Sequence, residues 1–463
     1  MAKILFFNPP SRQNVYIDTN VRVAAPSYPN LTLATLAGHL RDHEVRIMDL
    51  ELSANPAESL LKCIAEFEPT LIGASIKTPD FPLVKTLMAL VKDKAGDITT
   101  IVGGAHVSTL PDEVIKEPCF DILVLGEGDL AIPDILRSES LSEVPGIMYK
   151  KGNEVCRTPA RKLLDDLDAL PYPDWSQFDL KRYANSRLSS RQNPCGHIET
   201  SRGCAHQCNF CNKSIFGSLF RVKSVSRVVD EMESLLSVGF KEIHIVDDSF
   251  TQNINRAKDI CREITRRKLK FPWTCVNGVR VDMVDLEFFQ LAKKAGCWQI
   301  GFGIESGDQG VLDRIKKRTT LAQIQKAVTL CSSTGINACG FFILGLAGET
   351  EETMRKTIDF SKKLPLDAAK FDVCIPYPGT EYFKELKEEH RIRSEDWSKY
   401  LLHQTHEPLF DHPHLPWDVI GKYYKAAFKE FYLRPDYILR RIGKGLANGD
   451  IFYDFYYFLN SKW

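Results

Sequence analysis

The stretch Ser201-Arg-Gly-Cys204-Ala-His-Gln-Cys208-Asn-Phe-Cys211 places three cysteines within eight residues, and the next cysteine comes only at Cys261. A [4Fe–4S] cube usually takes four cysteine ligands, so a compact triad leaves one iron open to a ligand that the chain does not provide. A structural zinc site would need four ligands at paired spacing, and a set of buried thiols would leave the clustering unexplained. The triad therefore predicts that Cys204, Cys208 and Cys211 hold a catalytic iron–sulfur cluster.

The composition bears on partners and location. The 60 Lys and Arg residues balance 60 Asp and Glu residues, so no net field favours nucleic acid as a partner. The first ten residues lack the long apolar core and the cleavage site of a signal peptide, and no apolar run approaches the ~20 residues that span a bilayer. Thirteen cysteines in a chain of this kind fit a reducing compartment. We therefore expect a cytoplasmic protein that does not bind nucleic acid.

Residues 1–140 alternate short apolar runs with amphipathic helical patterns. The apolar runs predict strands at Ile4–Phe7, Val45–Met48, Thr70–Ala74, Thr100–Val102 and Asp121–Leu125. Strands that alternate with helices are typical of a parallel, doubly wound α/β sheet of the Rossmann or flavodoxin type. Such sheets bind ligands beyond the carboxyl ends of their strands. The candidate binding residues in the loops at these ends are Asn8, Pro9, Ser75, Gly103, Gly104, His106, Gly126 and Glu127.

A connector, a second α/β region and a tail follow. Residues 141–195, with short strands around Gly146–Lys150 and a proline-rich bend at 170–175, predict a linker on the surface of one domain. Residues 196–390 return to alternating strands and helices, which predicts a partial (β/α)6 barrel of the TIM type with its chemistry on the loops after the strands. Residues 391–463 predict a helical C-terminal region. The predicted barrel strands are Ile198–Thr200, Glu242–Val246, Trp273–Asn277, Gln299–Ile304, Ala338–Leu344 and Lys370–Ile375.

Polar or glycine-rich motifs end four of the predicted barrel strands. Paired acids after the second strand can accept hydrogen bonds from an ammonium group, and a solvated acidic turn is the plain alternative. A carboxylate after the fourth strand can bind ribose hydroxyls at both of its oxygens. The residues at the four strand ends are Asp247, Asp248 and Ser249; Glu305 and Ser306; Gly340 and Gly345; and Tyr377.

The cysteine spacing, the aromatic Phe210 and the four strand-end motifs together resemble the radical S-adenosylmethionine (radical SAM) enzymes over about 200 residues. In that family the open iron chelates the amino and carboxylate groups of SAM, and an electron from the cluster splits SAM to a 5′-deoxyadenosyl radical. The resemblance implies that Asp247 and Asp248 hold the methionine amino group and that Glu305 holds the ribose. It also implies SAM-binding roles for Phe210, Ser249, Ser306, Gly340, Gly345 and Tyr377.

The N-terminal region resembles the cobalamin-binding domain of class B radical SAM enzymes. The resemblance rests on Asn-Pro-Pro at residue 8, Tyr-Pro-Asn-Leu at 28, Gly-Gly-x-His at 103 and Gly-Glu-Gly-Asp at 126, and it implies that these loops surround the nucleotide tail and the corrin edge. No Asp-x-His-x-x-Gly motif is present, so imidazole is not expected on the cobalt. Asn30 and Asp129 depart from the usual Pro and Glu. A domain that kept its fold and lost its ligand is the alternative.

The resemblance implies a cobalamin-dependent methyltransferase. The radical would take a hydrogen from an unactivated carbon of the substrate, and methylcobalamin would supply the methyl group. One alternative keeps the radical and cobalamin but transfers no methyl group, as in ring closure, ring contraction or carbon–carbon coupling. Another is a non-catalytic iron–sulfur sensor or electron carrier. Methylthio transfer is disfavoured because the N-terminal region has no cysteine triad for a second cluster.

The tail gives the weakest indication of partners. The run Phe452-Tyr-Asp-Phe-Tyr-Tyr-Phe458 follows the basic segment 433–441. Packing of this run against the barrel is the favoured interpretation, and a lipid interface, which aromatic and basic residues side by side would suit, is the alternative. We expect a small-molecule or lipid-like substrate, a low-potential electron donor such as flavodoxin or ferredoxin, and no membrane span, with peripheral membrane contact left open.

Overall fold

The computed structural model describes residues 1–11, 26–403 and 407–460, and it contains two large β-sheets flanked by helices. Within these residues no helix is both long enough and apolar enough to cross a bilayer. The strands are β1 Lys3–Asn8, β2 Glu44–Asp49, β3 Leu71–Ser75, β4 Thr99–Gly103, β5 Ile122–Val124, β6 Ile147–Lys151, β7 Glu154–Arg157, β8 Cys195–Ile198, β9 Ser201–Arg202, β10 Arg221–Val222, β11 Glu242–Ile245, β12 Trp273–Val279, β13 Cys297–Glu305, β14 Asn337–Leu344 and β15 Ala368–Val373.

The α-helices connect the strands and form the C-terminal region. They are α1 Leu31–Gly38, α2 Pro56–Phe67, α3 Phe81–Lys94, α4 Ala105–Thr109, α5 Pro111–Val114, α6 Ala131–Arg137, α7 Val225–Val238, α8 Ile254–Arg266, α9 Leu286–Lys294, α10 Gln309–Arg314, α11 Leu321–Ser333, α12 Glu351–Lys363, α13 Glu381–Glu388, α14 Trp417–Tyr432, α15 Pro435–Asn448 and α16 Ile451–Asn460.

The first sheet confirms the predicted doubly wound domain. Its strands lie in the order β2-β1-β3-β4-β5-β6-β7, and the first five are parallel. The order 2-1-3-4-5 is that of flavodoxin-like sheets, in which ligands bind where the strand order reverses, here between β1 and β3. The inner residues of β1 are all buried, as expected for a central strand covered by helices on both faces.

The first sheet continues beyond residue 140. Strands β6 and β7, which lie in the predicted linker, pair antiparallel with β5 and with each other. Antiparallel edge strands on a largely parallel sheet are common in doubly wound domains. We therefore propose that the first domain ends after Arg157 and that the linker is correspondingly shorter.

The second sheet is the predicted partial barrel. Its six strands are parallel and lie in the order β15-β14-β13-β12-β11-β8, so β8 and β15 are the two edges of an open barrel. Phe342 and Phe371 stack on the outer face at 5.2 Å, and Phe371 contacts Phe428 of α14 at 5.3 Å. Because side chains alternate along a strand, Lys370 and Asp372 point the other way, into the lumen. The helical C-terminal region is confirmed by α14, α15 and α16.

Candidate active site

The cysteine loop is held at both ends by a small β-ladder. Strand β9 precedes the cysteines, and β10 returns after them and pairs antiparallel with β9. Between them Gly203 has φ +82°, and a Cβ atom on it would lie 2.3 Å from the carbonyl oxygen of Leu219. Only glycine therefore fits at the residue before Cys204.

The three motif cysteines differ from the other cysteines in their exposure. Cys204 and Cys208 are half-buried and Cys211 is exposed, whereas nine of the other ten cysteines are buried. The Cys211 thiol donates a hydrogen bond to Cys208, which lowers the pKa of Cys208 to about 6 and raises that of Cys211. Cys208 and Cys211 thus lie in contact, and all three motif cysteines are in a loop that solvent reaches.

Two other contacts fix the shape of this loop. The Lys213 ammonium donates to the carbonyl oxygen of Cys204 at 3.0 Å and also to that of His206. The amide of Asn209 donates to the carbonyl oxygen of Ile315, in the turn after α10, at 3.2 Å. Hydrogen bonds to the backbone of the loop therefore fix its shape without a bound metal.

The acidic pair after β11 divides into two roles. Asp247 is buried, and its carboxylate accepts hydrogen bonds of 2.5 Å from Thr200 N, Thr200 Oγ1 and Ser201 Oγ. Asp248 is exposed and accepts one bond, of 3.2 Å, from Gly203 N. The predicted contact with the SAM amino group therefore suits Asp248, while Asp247 ties β11 to the strand that leads into the cysteines.

A charged group that the sequence did not indicate lies beside the cysteines. The Lys317 ammonium donates to Glu305 Oε1 at 2.6 Å, and both side chains are buried. Arg280 Nη2 donates to the carbonyl oxygen of Lys317 at 2.9 Å. Burial alone would lower the pKa of Lys317, but the charges of Glu305 and Cys208 outweigh it and raise that pKa. A cation therefore persists next to the motif, where a ligand carboxylate would be favoured.

The remaining predicted SAM-binding residues lie in different settings. Glu305 has the left-handed φ of +67° at the end of β13 and points into the lumen beside Lys317. Ser306 is buried and bonded to Thr357 Oγ1 at 3.1 Å. Gly340 packs against the outer core, since a Cβ there would lie 2.9 Å from Leu366. The structure thus brings Glu305 to the cysteines and turns Ser306 and Gly340 away from the lumen.

Four other predicted residues border the same end of the barrel. Gly345 N donates to Glu349 Oε2 at 2.6 Å in the turn after β14. Tyr377 is half-buried and donates to the carbonyl oxygen of Tyr400 at 3.0 Å. Phe210 is partly buried against the core, and the hydroxyl of Ser249 is buried without a hydrogen-bond partner among the described residues. Of these, Ser249 leaves a polar atom free for a ligand.

Polar residues of β15 also point into the lumen, and no sequence motif predicted them. Lys370 is exposed in mid-strand, and its ammonium lies 5.5 Å from the centre of the Phe341 ring. Asp372 Oδ1 lies 3.3 Å from His403 Nδ1, and burial raises the pKa of Asp372 to about 7. An exposed lysine within a barrel strand indicates that solvent reaches this face of β15.

A cavity of about 280 Å³ opens at the carboxyl ends of β1, β3, β4 and β5. This volume is near the lower end of the ~300–1,000 Å³ usual for ligand sites. Ser75, Gly103, Gly104, Gly126 and Glu127 line it, whereas Asn8, Pro9 and His106 do not. The wall also contains Thr32, Thr35, Gly73, Gly128 and Asp129.

The cavity wall fits a bulky ligand that approaches the backbone closely. Gly104 has φ +102°, and a Cβ there would lie 2.7 Å from the backbone of Ile76. Gly126 has φ +81°, and a Cβ there would lie 3.8 Å from the carbonyl oxygen of Ile215, an ordinary contact distance. Both glycines are thus needed for the loop geometry itself, and Gly126 leaves its part of the cavity wall without a side chain.

Two predicted cobalamin residues have other partners. The Asn8 amide donates to Asp49 Oδ1 and accepts from Asn30 Nδ2, both at 2.8 Å. His106 is buried between Phe81 and Trp397, with ring centroids at 4.5 and 5.5 Å, and burial lowers its pKa to about 4. Asn8 therefore orders the loop entrance, and His106 packs as a neutral core residue.

A buried ion-pair network joins the cavity to the cysteine loop. Arg202, two residues before Cys204, makes two bonds to Asp129, at 2.9 and 3.0 Å, and one to Glu127 at 3.0 Å. Glu127 also accepts from Arg221 of β10 at 2.8 Å. Both acids line the cavity. The two candidate cofactor sites therefore share one rigid wall, which the sequence motifs did not reveal.

The charge of this network is compensated within it. Arg202 Nε also bonds Glu199 at 2.7 Å. Although burial opposes ionisation, His39 and Arg202 hold the pKa of Asp129 well below its usual range. The Asp129 carboxylate is thus held ionised and paired, as a buried charge needs to be.

Family models match both halves of the chain. The Radical SAM superfamily model matches residues 198–361, and the B12 binding domain model matches residues 17–136. These ranges contain the cysteine loop and the cavity loops respectively. The expectation that the two resemblances meet in one chain is confirmed.

Curated relatives share most of the chain. An uncharacterized methyltransferase of Pyrococcus horikoshii is 32% identical and covers 96% of this chain and 95% of its own length. The cytidylyl-2-hydroxyethylphosphonate methyltransferase of Streptomyces wedmorensis is 29% identical, with 71% and 68% covered. The anaerobic magnesium-protoporphyrin IX monomethyl ester cyclase of Rubrivivax gelatinosus is 28% identical, with 81% and 69% covered.

Solved structures share the fold. The radical SAM methyltransferase TsrM from Kitasatospora setae superposes with a TM-score of 0.72 at 20% identity, covering 92% of this chain and 89% of TsrM. The cobalamin-dependent radical SAM enzyme OxsB gives a TM-score of 0.65 at 21% identity, covering 93% of this chain and 61% of OxsB. The arrangement of a doubly wound domain against a partial barrel is therefore a known one.

Proposed function

The chain belongs to the class B radical SAM family, the radical SAM enzymes with a B12-binding domain, and from this premise we propose that it methylates an unactivated carbon of a small, largely apolar substrate with a polar handle. The observation that carries the proposal is the shared wall: Arg202 contacts two cavity residues and lies two residues from Cys204. A substrate in the lumen can therefore lie between the two cofactor sites.

The chain's donors suit the cofactors of the family, namely a [4Fe–4S] cluster, SAM and cobalamin. When bound, the cluster and SAM supply the 5′-deoxyadenosyl radical, and the corrin carries a methyl group. Cys204, Cys208 and Cys211 would hold the cluster. The cavity lined by Gly126 and its neighbours would take part of the corrin nucleotide.

The residues around the cysteines would orient SAM. Exposed Asp248 would accept hydrogen bonds from its ammonium group, and the Lys317 cation would favour its carboxylate. Glu305 keeps one carboxylate oxygen beyond its bond to Lys317 and faces the lumen, where ribose hydroxyls would donate to it. Glu305 and Lys317 are buried, so their charges are worth more than they would be in water.

The lumen residues of β15 would bind the substrate. Lys370 offers a cation that reaches solvent, Asp372 and His403 offer a paired acid and imidazole, and Phe341 offers an aromatic face. Such a mixture suits an apolar body with one anionic or hydrogen-bonding group. The names of two of the relatives give a nucleotide phosphonate and a tetrapyrrole ester as substrates.

An external electron donor and a cytoplasmic site of action complete the proposal. The sequence contains one compact cysteine triad, so the reducing electron would come from another protein. A flavodoxin or ferredoxin has the low potential that the cluster needs. Thirteen cysteines without any disulfide among the described residues fit a reducing compartment.

Ring closure without methyl transfer is the second candidate. It is favoured by the cyclase of Rubrivivax gelatinosus, which covers 81% of this chain. The name of the Pyrococcus horikoshii relative, a methyltransferase over 96% of the chain, favours the first.

Product analysis separates the two candidates. The protein is reconstituted without oxygen with iron, sulfide and hydroxocobalamin, and then incubated with a reductant and SAM labelled in its methyl group. We expect S-adenosylhomocysteine and 5′-deoxyadenosine to form together, with label entering an extracted substrate. Deoxyadenosine without S-adenosylhomocysteine, in the presence of that substrate and bound corrin, would favour ring closure instead.

A further inference from the structure

Helices α15 and α16 form a C-terminal hairpin (residues 435–460) that bridges the two edges of the open barrel. On one side the Tyr437 hydroxyl donates to the carbonyl oxygen of Asp367, just before β15, at 2.8 Å. On the other side Arg187, before β8, donates its amide proton to the Tyr457 hydroxyl at 3.0 Å. The hairpin is therefore fixed to the barrel through its inner face.

The hairpin turns its charges inward. Arg441 of α15 pairs with Asp454 of α16 at 2.6 Å, and Lys444 pairs with Asp367. Arg440 donates to the carbonyl oxygen of Leu366. The three cations of α15 thus hold the hairpin to itself and to the barrel, and α16 contains no basic residue.

The outer face of the hairpin is apolar and aromatic. Sixteen of its residues are exposed, and Asp436 is the one charged residue among them. Asp436 lies in the first turn of α15 and pairs with Arg434 at 3.2 Å. The large apolar residues on this face are Leu439, Ile442, Leu446, Phe452, Tyr453, Phe455, Tyr456, Phe458 and Leu459, with exposures between 42% and 83%.

The preceding helix shows the ordinary pattern for contrast. The exposed residues of α14 are Asp418, Lys422, Lys425 and Lys429, all of them charged. Helices that face water have this polar outer stripe. A hairpin whose outer stripe is apolar therefore faces something other than water.

We propose that the C-terminal hairpin docks this enzyme on an anionic lipid surface. The aromatic side chains of this face are well exposed, with Phe452 83% exposed, so they can enter a headgroup layer. Arg187 is exposed at the edge of the face, and its guanidinium lies 5.3 Å from the centre of the Tyr453 ring. Cations beside an aromatic face complement anionic headgroups.

Vesicle flotation tests the docking without any cofactor or turnover, so its outcome is independent of the proposed reaction. The full chain is floated with vesicles of phosphatidylcholine alone or with added phosphatidylglycerol. We expect flotation with the anionic vesicles and at least ~10-fold less in the triple variant F452S/F455S/L459S. The matched control V155S/V238S removes exposed apolar side chains elsewhere and should float like the wild type.

Other measurements keep the test decisive if the triple variant folds poorly. In Phe452→Trp, tryptophan emission should shift to shorter wavelength when anionic vesicles are added. Arg187→Glu should reduce the gain from phosphatidylglycerol several-fold. The proposal is overturned if the wild type does not float, or if light scattering shows a dimer that the triple variant dissociates, because the face would then belong to a second copy.

Discussion

The mouth of the barrel and the cavity of the first sheet differ in how they receive a ligand. Around the cysteines the chain offers charges and thiols, including Lys317, Glu305 and exposed Asp248. The cavity offers glycines and short side chains around about 280 Å³ of space. The barrel mouth is thus suited to bind a ligand through charges and metal–thiolate bonds, and the cavity is suited to bind one through its shape. Arg202 joins the two regions. A substitution in one region can therefore be made while ligand binding is measured in the other.

The largest effect is expected from breaking the barrel mouth. Cys208→Ala should remove the cluster and reduce SAM cleavage by at least ~1,000-fold, because a triad member cannot be replaced by solvent. Cobalamin binding should remain, as the cavity lies in the other domain. Iron content, SAM cleavage and corrin absorbance measure the three quantities. Cys156→Ala, a half-buried cysteine outside the motif, serves as control.

The shared wall should be the next most sensitive. Arg202→Met leaves Asp129 and Glu127 buried with fewer partners, which costs about 3–5 kcal/mol when one member of a buried pair is removed. Urea unfolding of the cofactor-free chain measures this loss. An unfolding free energy equal to that of the wild type would show that the two domains do not depend on this network.

The two acids after β11 should separate binding from stability. Asp248→Asn should weaken SAM binding by about 10- to 100-fold, the usual value of a hydrogen bond to a charged group, with little change in stability. Asp247→Asn should instead lower the unfolding free energy by about 1–3 kcal/mol, since three hydrogen bonds meet at that buried carboxylate. Equilibrium binding of SAM to the reconstituted protein and urea unfolding provide the two readouts; the reverse pattern would exchange the roles.

Filling the cavity should weaken cobalamin binding and leave the cluster unchanged. Gly126→Val puts a side chain on the cavity wall, where a Cβ would lie 3.8 Å from its nearest neighbour, so we expect at least ~10-fold weaker cobalamin binding with the cluster intact. Gly152→Val is a matched control, because Gly152 also has positive φ and has no atom near its Cβ site. Both variants carry the backbone strain of about 1–2 kcal/mol. Equal loss of cobalamin in both would mean that strain, not space, is responsible.

The smallest effect concerns His106 and pH. The pKa of His106 is lowered from 6.5 to about 4 in the folded state. As pH falls from 6.5 towards 4, the unfolded chain is protonated at this residue while the folded chain is not, so the free energy of unfolding decreases. At pH 5 the decrease due to His106 should be about 2 kcal/mol. His106→Phe should flatten the stability profile over that range while cobalamin still binds. Loss of cobalamin binding in this variant, with the fold intact, would return His106 to the binding site.

Much of the architecture follows from local pattern. All five predicted strands of the first sheet occur, and so do the six of the barrel, with the first barrel strand at Cys195–Ile198 rather than Ile198–Thr200. Apolar runs reveal strands because burial on both faces is a property of each strand alone. The sequence places β6 and β7 in the linker and not in the first sheet. Their pairing at the sheet edge depends on a strand that is distant in sequence, so local pattern does not reveal it.

The site is harder to predict from the sequence than the fold, because its contacts also join residues that are distant in sequence. The cysteines and Asp248 stand in contiguous motifs, whereas the bond from Arg202 to Asp129 joins residues 73 positions apart. Lys317 is one of several basic residues in its segment, and only the fold shows that its ammonium, not that of Lys316, lies beside Glu305. Alternation along β15 was the available signal for Lys370 and Asp372, but it does not say which face is the lumen.

The most direct test of the central claim is the iron and cobalt content of one reconstituted sample. We predict about four iron atoms and one cobalt atom per chain in the wild type, cobalt without iron in Cys208→Ala, and iron without cobalt in Gly126→Val. A wild-type chain that binds iron and cleaves SAM but retains no cobalt would contradict the claim that two cofactor sites meet at the wall formed by Arg202.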